Sequence, residues 1–329
     1  MAPTRREFLR TLGSFAGCMI AGCNRKPHGP RQKVIAFSNA NNAEPYRAAQ
    51  LALLGRLVGQ HSDLRLVVAD AQQDSDRQIA QIDTFIRQRP DILIVAPNER
   101  SALTQVMGDA MEAHIPVICL ERDIVLPNYT TYVRADNQEI GRMVGQFLVD
   151  MLKKRNGTPK GNVVFLRGLL GVEAEIHRDR GAREVLARYP EIHIIADPVA
   201  NWNQAEAKDR MTEVLRVNAK VDAVYGHNDP MAVGGYLAAR ELGREHEMLF
   251  VGVDGLGGPA GGIKKVVDGI LQATFIYPLA VDKAFDISIQ MLHDPGFIPD
   301  KTYTMPSTMV TPENAAQLYA KTTANMSAS

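Results

Sequence analysis

The sequence predicts an α/β protein built as two doubly wound parallel-sheet lobes. Three observations carry that reading. Short Val/Ile/Leu-rich runs alternate with helical patterns from Lys33 almost to the end of the chain. Most of the runs lack polar alternation, as expected of strands covered on both faces. The 329 residues exceed an ordinary single domain and suit two sheets of about five strands better than one wide sheet.

The strands of the first set are Lys33–Phe37, Leu64–Ala69, Ile92–Ala96, Pro116–Leu120 and Thr131–Ala135. Those of the second are Asn162–Leu166, Ile192–Ala196, Ala223–Gly226, Met248–Val253 and Gln272–Ile276. Between them, Ile79, Ile82, Phe85 and Ile86 share one helix face. Ile140, Met143, Val144, Phe147, Leu148 and Met151 form a longer stripe at helical spacing. Repeated β-α alternation implies parallel pairing with helices on both faces. The polar stretch Lys153–Gly161 reads as a helix-to-strand loop, and the change of lobe is expected at Ala135-Asp136-Asn137.

The first residues read as an address. A basic head, Thr4 to Arg10, precedes the mostly apolar or small stretch Leu12–Gly22, the layout of an export signal too short to span a membrane comfortably. Arg5-Arg6 followed by Phe8 and Leu9 resembles a twin-arginine signal. Ile20-Ala21-Gly22-Cys23 resembles a lipobox, in which Cys23 receives the lipid and anchors the protein to a membrane. Residues 1–23 are thus an export signal and 24–32 a flexible tether. Processing would leave Cys119 as the body's lone cysteine, within an apolar run, so no disulfide framework is expected.

Thirty-seven basic residues balance thirty-seven acidic ones, which disfavours nucleic acid as a partner and suits a small uncharged ligand. In doubly wound sheets, ligands collect beyond the carboxyl ends of strands. Those ends carry Ser38, Asn42, Glu44, Tyr46, Arg47, Glu121, Arg122, Trp202, Asn228, Asp254 and Tyr277. Carboxylates accept, guanidinium forks donate twice, and amides do both. Tyr46 and Trp202, the single tryptophan, are candidates to cover the C–H face of a sugar ring. Asp229 before Pro230 also reads as a helix cap.

FSNANNAEPYR, ADAQQDSDRQIAQI, VICLERD, RADNQEIGR, HRDRGAREVL, YGHNDPMAVGG and VGVDG occur in that order. Together they resemble the type I periplasmic sugar-binding proteins of ABC transporters, the ribose and galactofuranose binders, over Lys33 to Leu318. The resemblance implies two lobes joined by a three-strand hinge near Ala135–Asp136, Tyr277–Pro278 and Met305–Thr308. The first lobe would be residues 33–135 plus 278–306, the second 136–277 plus 307–320, and 321–329 a tail. It implies polar first-loop contacts at Ser38 and Asn42, a stacking ring at Tyr46, and an acid–arginine pair at Glu121-Arg122. Arg178, Trp202, Asn228, Asp254 and Tyr277 would supply the remaining contacts. Asn41-Asn42-Ala43-Glu44-Pro45-Tyr46-Arg47 departs from ribose binders through an insertion and the Glu44/Arg47 charges, and is closer to galactofuranose-type loops. The expected protein is a periplasmic, lipid-anchored monomer without cofactor or metal. It would take a pentose, furanose or hexose and pass it to a transporter permease or a membrane sensor.

Other classes fit less well. Asp254-Gly255-Leu256-Gly257-Gly258-Pro259 lacks the glycine spacing of a dinucleotide turn. His177-Arg178-Asp179 matches a kinase triplet without the rest of that set, and neither a G-x-S-x-G elbow nor metal-ligand spacing is present. An enzyme is therefore not expected. A repressor with this core would begin with a helix-turn-helix rather than an export signal.

Overall fold

The computed structural model describes residues 31–327. The signal and Cys23 lie outside the described residues. In chain order come β1 (Lys33–Asn39), α1 (Pro45–Gly59), β2 (Leu64–Asp70), α2 (Ser75–Gln88), β3 (Ile92–Ala96), α3 (Arg100–Glu112), β4 (Val117–Leu120) and β5 (Thr131–Ala135). Then follow α4 (Asn137–Asn156), β6 (Gly161–Leu166), α5 (Glu173–Leu186), β7 (Ile192–Ala196), α6 (Gln204–Val217), β8 (Ala223–Gly226) and α7 (Asp229–Glu241). The chain closes with β9 (Leu249–Val251), α8 (Gly262–Val267), β10 (Thr274–Ile276), α9 (Val281–His293), β11 (Thr302–Met305), β12 (Thr308–Val310) and α10 (Pro312–Ser327).

The strands form two sheets. The first has the order β11-β5-β4-β3-β1-β2, parallel throughout. The second runs β7-β6-β8-β9 in parallel, and isolated bridges carry it on to β10, which pairs antiparallel with β12. Each lobe is thus wound outward from its first strand in both directions, placing loops of both lobes at the strands' carboxyl ends. The chain passes between sheets three times: from β5 into α4, from β10 into α9, and from β11 into β12.

The strands form because their side chains are apolar on both faces: all five residues of β3 are buried. Helix starts are set by caps. Asp74, Asp136, Asn203 and Asn228 each accept a hydrogen bond from a first-turn backbone N–H. The α7 cap is therefore Asn228 and not Asp229. Asp229 is buried one position later, accepting from Gly255 N (2.8 Å) and Thr274 Oγ1 (2.6 Å). Helices α4 and α5 meet at Gly141 and Gly181. A Cβ at either would come within 2.4 Å or 2.1 Å of the facing helix's backbone, so the approach depends on glycine.

Strands β11 and β12 were not foreseen. They are short and threonine-rich, and sit at sheet edges with mostly exposed or half-buried side chains, so they lack the apolar signal used to find the others. Cys119 lies fully buried in β4 with its thiol donating to Arg122 O (3.2 Å), and burial pushes its pKa well up.

Candidate functional site

The loops at the strand ends line a tight, partly open chamber between the lobes. The first lobe contributes Glu44, Tyr46, Arg47, Glu121 and Arg122, and the second Arg178, Trp202, Asn228 and Asp254, with Tyr277 at a crossing. Pro45 and Ala174 complete the lining. All the sequence-expected binding residues except Ser38 and Asn42 therefore meet around one space. Ser38 is fully buried behind it, where its hydroxyl accepts from Gln78 Nε2 (3.2 Å). Asn42 accepts from Asn39 Nδ2 (2.7 Å) and lines a wider groove next to the chamber. Neither lines the chamber itself, because the chain leaving β1 turns before α1 and presents Glu44 and Pro45 there.

The first-lobe half is organised around Glu121, although the buried Arg47 Nε and Arg122 Nε have no acceptor among the described residues. Arg47, 1% exposed, donates to Glu121 Oε2 and to Gln50 Oε1 (3.0 Å). Arg122 Nε lies 3.7 Å from the same Glu121 oxygen, and Nη1 donates to Asn98 O (3.1 Å). The other Glu121 oxygen accepts from Tyr277 Oη (3.0 Å). Burial would raise the Glu121 pKa, but the guanidiniums of Arg47, Arg122 and Arg178 outweigh it and hold the carboxyl below its usual range. Tyr46 donates to Pro278 O (2.6 Å), and its ring lies 5.1 Å from that of Tyr277.

The second-lobe half is organised around Arg178 and Trp202. Arg178 Nε donates to Asn137 Oδ1 (2.9 Å) and Nη1 to His227 O (2.6 Å), and its guanidinium sits 4.3 Å over the Tyr277 ring. Asn228 is spent on its cap and on Trp202 O (3.2 Å). The indole of Trp202, 5% exposed, has no acceptor for Nε1 among the described residues. The ring rests on Gly168, where a Cβ would come within 2.2 Å of it, and Arg122 of the first lobe lies 5.9 Å from its centroid. Asp254 is held at φ +133°. Burial, then the neighbouring Asp229, push its pKa well up, while burial raises Asp229 to about 6.

Sequence reasoning missed the residues that hold these groups. Asn137 donates to Glu173 Oε2 (2.7 Å) and to Tyr277 Oη (3.1 Å), fixing Arg178 and Tyr277 together. Glu173 is raised to about 7, by burial first and then by Asp123. Asn137 stands beside the expected crossing at Ala135-Asp136, so its position was legible but its side chain's role was not.

Chemically, the chamber sets guanidiniums and carboxylates in balance around aromatic rings, a donor–acceptor pattern for an uncharged hydroxylated molecule.

Residues 35–280 match the model of the family described as a periplasmic binding protein domain. The galactofuranose-binding protein YtfQ of Escherichia coli is 30% identical over 294 residues, covering 86% of this chain and 89% of that protein. Among solved structures, the fructose binding periplasmic domain of a hybrid two-component system superposes with a TM-score of 0.84. It is 33% identical and covers 90% of this chain and 96% of that one. The binding protein component of the arabinose ABC transporter of Shewanella, bound to L-arabinofuranose, gives 0.81 at 28% identity, with 90% and 97% covered. This chain belongs to the periplasmic binding protein domain family, in the type I arrangement of two lobes wound about parallel sheets.

Proposed function

We propose that this protein captures a small neutral sugar between its two lobes and delivers it to an ABC importer. The observation that carries the reading is the chamber's composition. Arg47, Arg122 and Arg178 face Glu44, Glu121 and Asp254 around Tyr46, Trp202 and Tyr277. An anion would need an excess of donors, and an apolar ligand would leave these groups unpaired. Contacts from both lobes would favour the closed form, with the sugar-free protein open. Two relatives are named for furanoses, galactofuranose and arabinofuranose, which supports a furanose- or pentose-like ligand here.

Arg5-Arg6 and the four residues ending at Cys23 support export and lipid anchoring. Labelled palmitate incorporation, lost in Cys23→Ser, tests the anchor. Likeness to the periplasmic domain of a hybrid two-component system favours a second reading, in which the same clamp reports to a membrane sensor. Sugar-dependent co-purification with a permease or with a receptor separates the two.

The chamber itself is tested by intrinsic fluorescence, with Trp202 as reporter, across pentoses, hexoses and inositols. A saturable emission shift with at least one of them is expected. Silence across the whole panel, with no change in melting temperature, would overturn the sugar reading.

A further inference from the structure

The groove beside the chamber carries chemistry that a single sugar ring does not use. It is much the wider of the two spaces and is open to solvent. Glu44, Pro45, Trp202 and Asp254 belong to both linings, so the two spaces are continuous at the site's own acidic and aromatic side chains.

The groove's two lips are built alike. Carboxamides Asn42, Gln72 and Gln73 come from the first lobe, and Asn201, Asn203 and Gln204 from the second. A carboxamide donates and accepts, matching the dual character of a hydroxyl. Ala52 and Leu53 of α1, Val233 of α7 and Leu256 add apolar surface suited to C–H groups. Acidic Glu44, Asp70, Glu206, Asp229 and Asp254 outnumber Arg56 and Lys265, which disfavours a phosphate or uronate here.

The backbone supplies an independent observation. Gln72 and Gln73 are consecutive left-handed residues (φ 55° and 62°), and so are Asn201 and Trp202 (48° and 64°). None is glycine, so each conformation carries strain, and such strain concentrates at ligand clamps. The two pairs follow β2 and β7, the corresponding edge strands of the two sheets. Trp202, between the two spaces, keeps its indole nitrogen without an acceptor among the described residues while 5% exposed.

We propose that the groove is a second saccharide subsite and that the ligand is a glycoside. One unit occupies the chamber, and its glycosidic oxygen leads past Glu44 and Asp254. A second neutral sugar unit lies between the carboxamide lips. The inference rests on the sugar-binding reading of the chamber.

Calorimetry on the purified full chain tests it with fructose, arabinose and galactose against their matched furanosyl disaccharides. At least one disaccharide is expected to bind about tenfold or more tightly than its own monosaccharide, the worth of one or two added hydrogen bonds. Ala52→Trp, on the exposed face of α1, narrows the groove away from the chamber. It should erase that advantage and leave monosaccharide affinity unchanged. Gln204→Ala, a smaller change at an exposed side chain, should cost the disaccharide about threefold. A gain below tenfold for every disaccharide, or a preference that survives both substitutions, overturns the second subsite while sparing the chamber. Failure of monosaccharides and disaccharides alike overturns both readings.

Discussion

The two halves of the chamber hold their carboxylates in opposite states. Glu121, on the first lobe, takes hydrogen bonds from Arg47 and Tyr277 and is stabilised as an anion. Asp254, on the second, is strained in backbone, sits near Asp229 and resists ionisation. The first lobe's carboxylate is therefore held by partners within the chain, although the buried Arg47 Nε and Arg122 Nε have no acceptor among the described residues. On the second, Trp202 Nε1 is a buried donor without an acceptor among the described residues. A ligand bridging the lobes would meet unpaired donors on both, which makes binding sensitive to closure.

Breaking the first half should have the largest effect on stability. Glu121→Ala leaves two buried guanidiniums uncompensated and is expected to cost about 3–5 kcal/mol in urea unfolding. Asp254→Asn replaces a carboxyl whose ionisation burial and Asp229 oppose, and should cost no stability. Equal losses in the two variants would erase the contrast between the lobes.

A second contrast is set by pH. Because Glu173 is raised to about 7 when folded, the folded state holds that proton more tightly than the unfolded chain. Its contribution is thus complete below about pH 4.5 and lost as pH rises toward 7. Glu173→Gln keeps an acceptor for Asn137 without the charge. Its stability relative to the parent should rise by up to about 3 kcal/mol between pH 4.5 and pH 8 in thermal melts. A pH-independent difference would remove Glu173 from the account.

The smallest effect sharpens the second half alone. Gly168→Ala would press a methyl group into the Trp202 ring, costing about 1–3 kcal/mol through overpacking and blunting any ligand-dependent fluorescence. Unchanged stability and emission would show that the ring is not seated on Gly168.

Much of this was legible in the sequence, for physical reasons. The ranges of β3 and β8 follow from unbroken apolar runs, and the strand-end rule gathers Glu121, Trp202, Asp254 and their neighbours from the sequence alone. Ser38 and Asn42 lie outside the chamber because facing depends on how the loop after β1 turns, which one dimension does not record. β11 and β12 escaped because edge strands need no continuous apolar face. Asn137 and Glu173 escaped because their roles arise only when α4 and α5 close together at Gly141 and Gly181. Long-range polar partners have no local signature.

The central claim is that one ligand is held from both lobes at once. Calorimetric titration of the best sugar into the parent, Arg122→Ala and Asp254→Ala tests it most directly, since the two side chains come from opposite lobes. Each variant should bind at least about tenfold more weakly, as loss of a charged hydrogen bond implies, while remaining folded. Undiminished affinity in both variants would contradict the account.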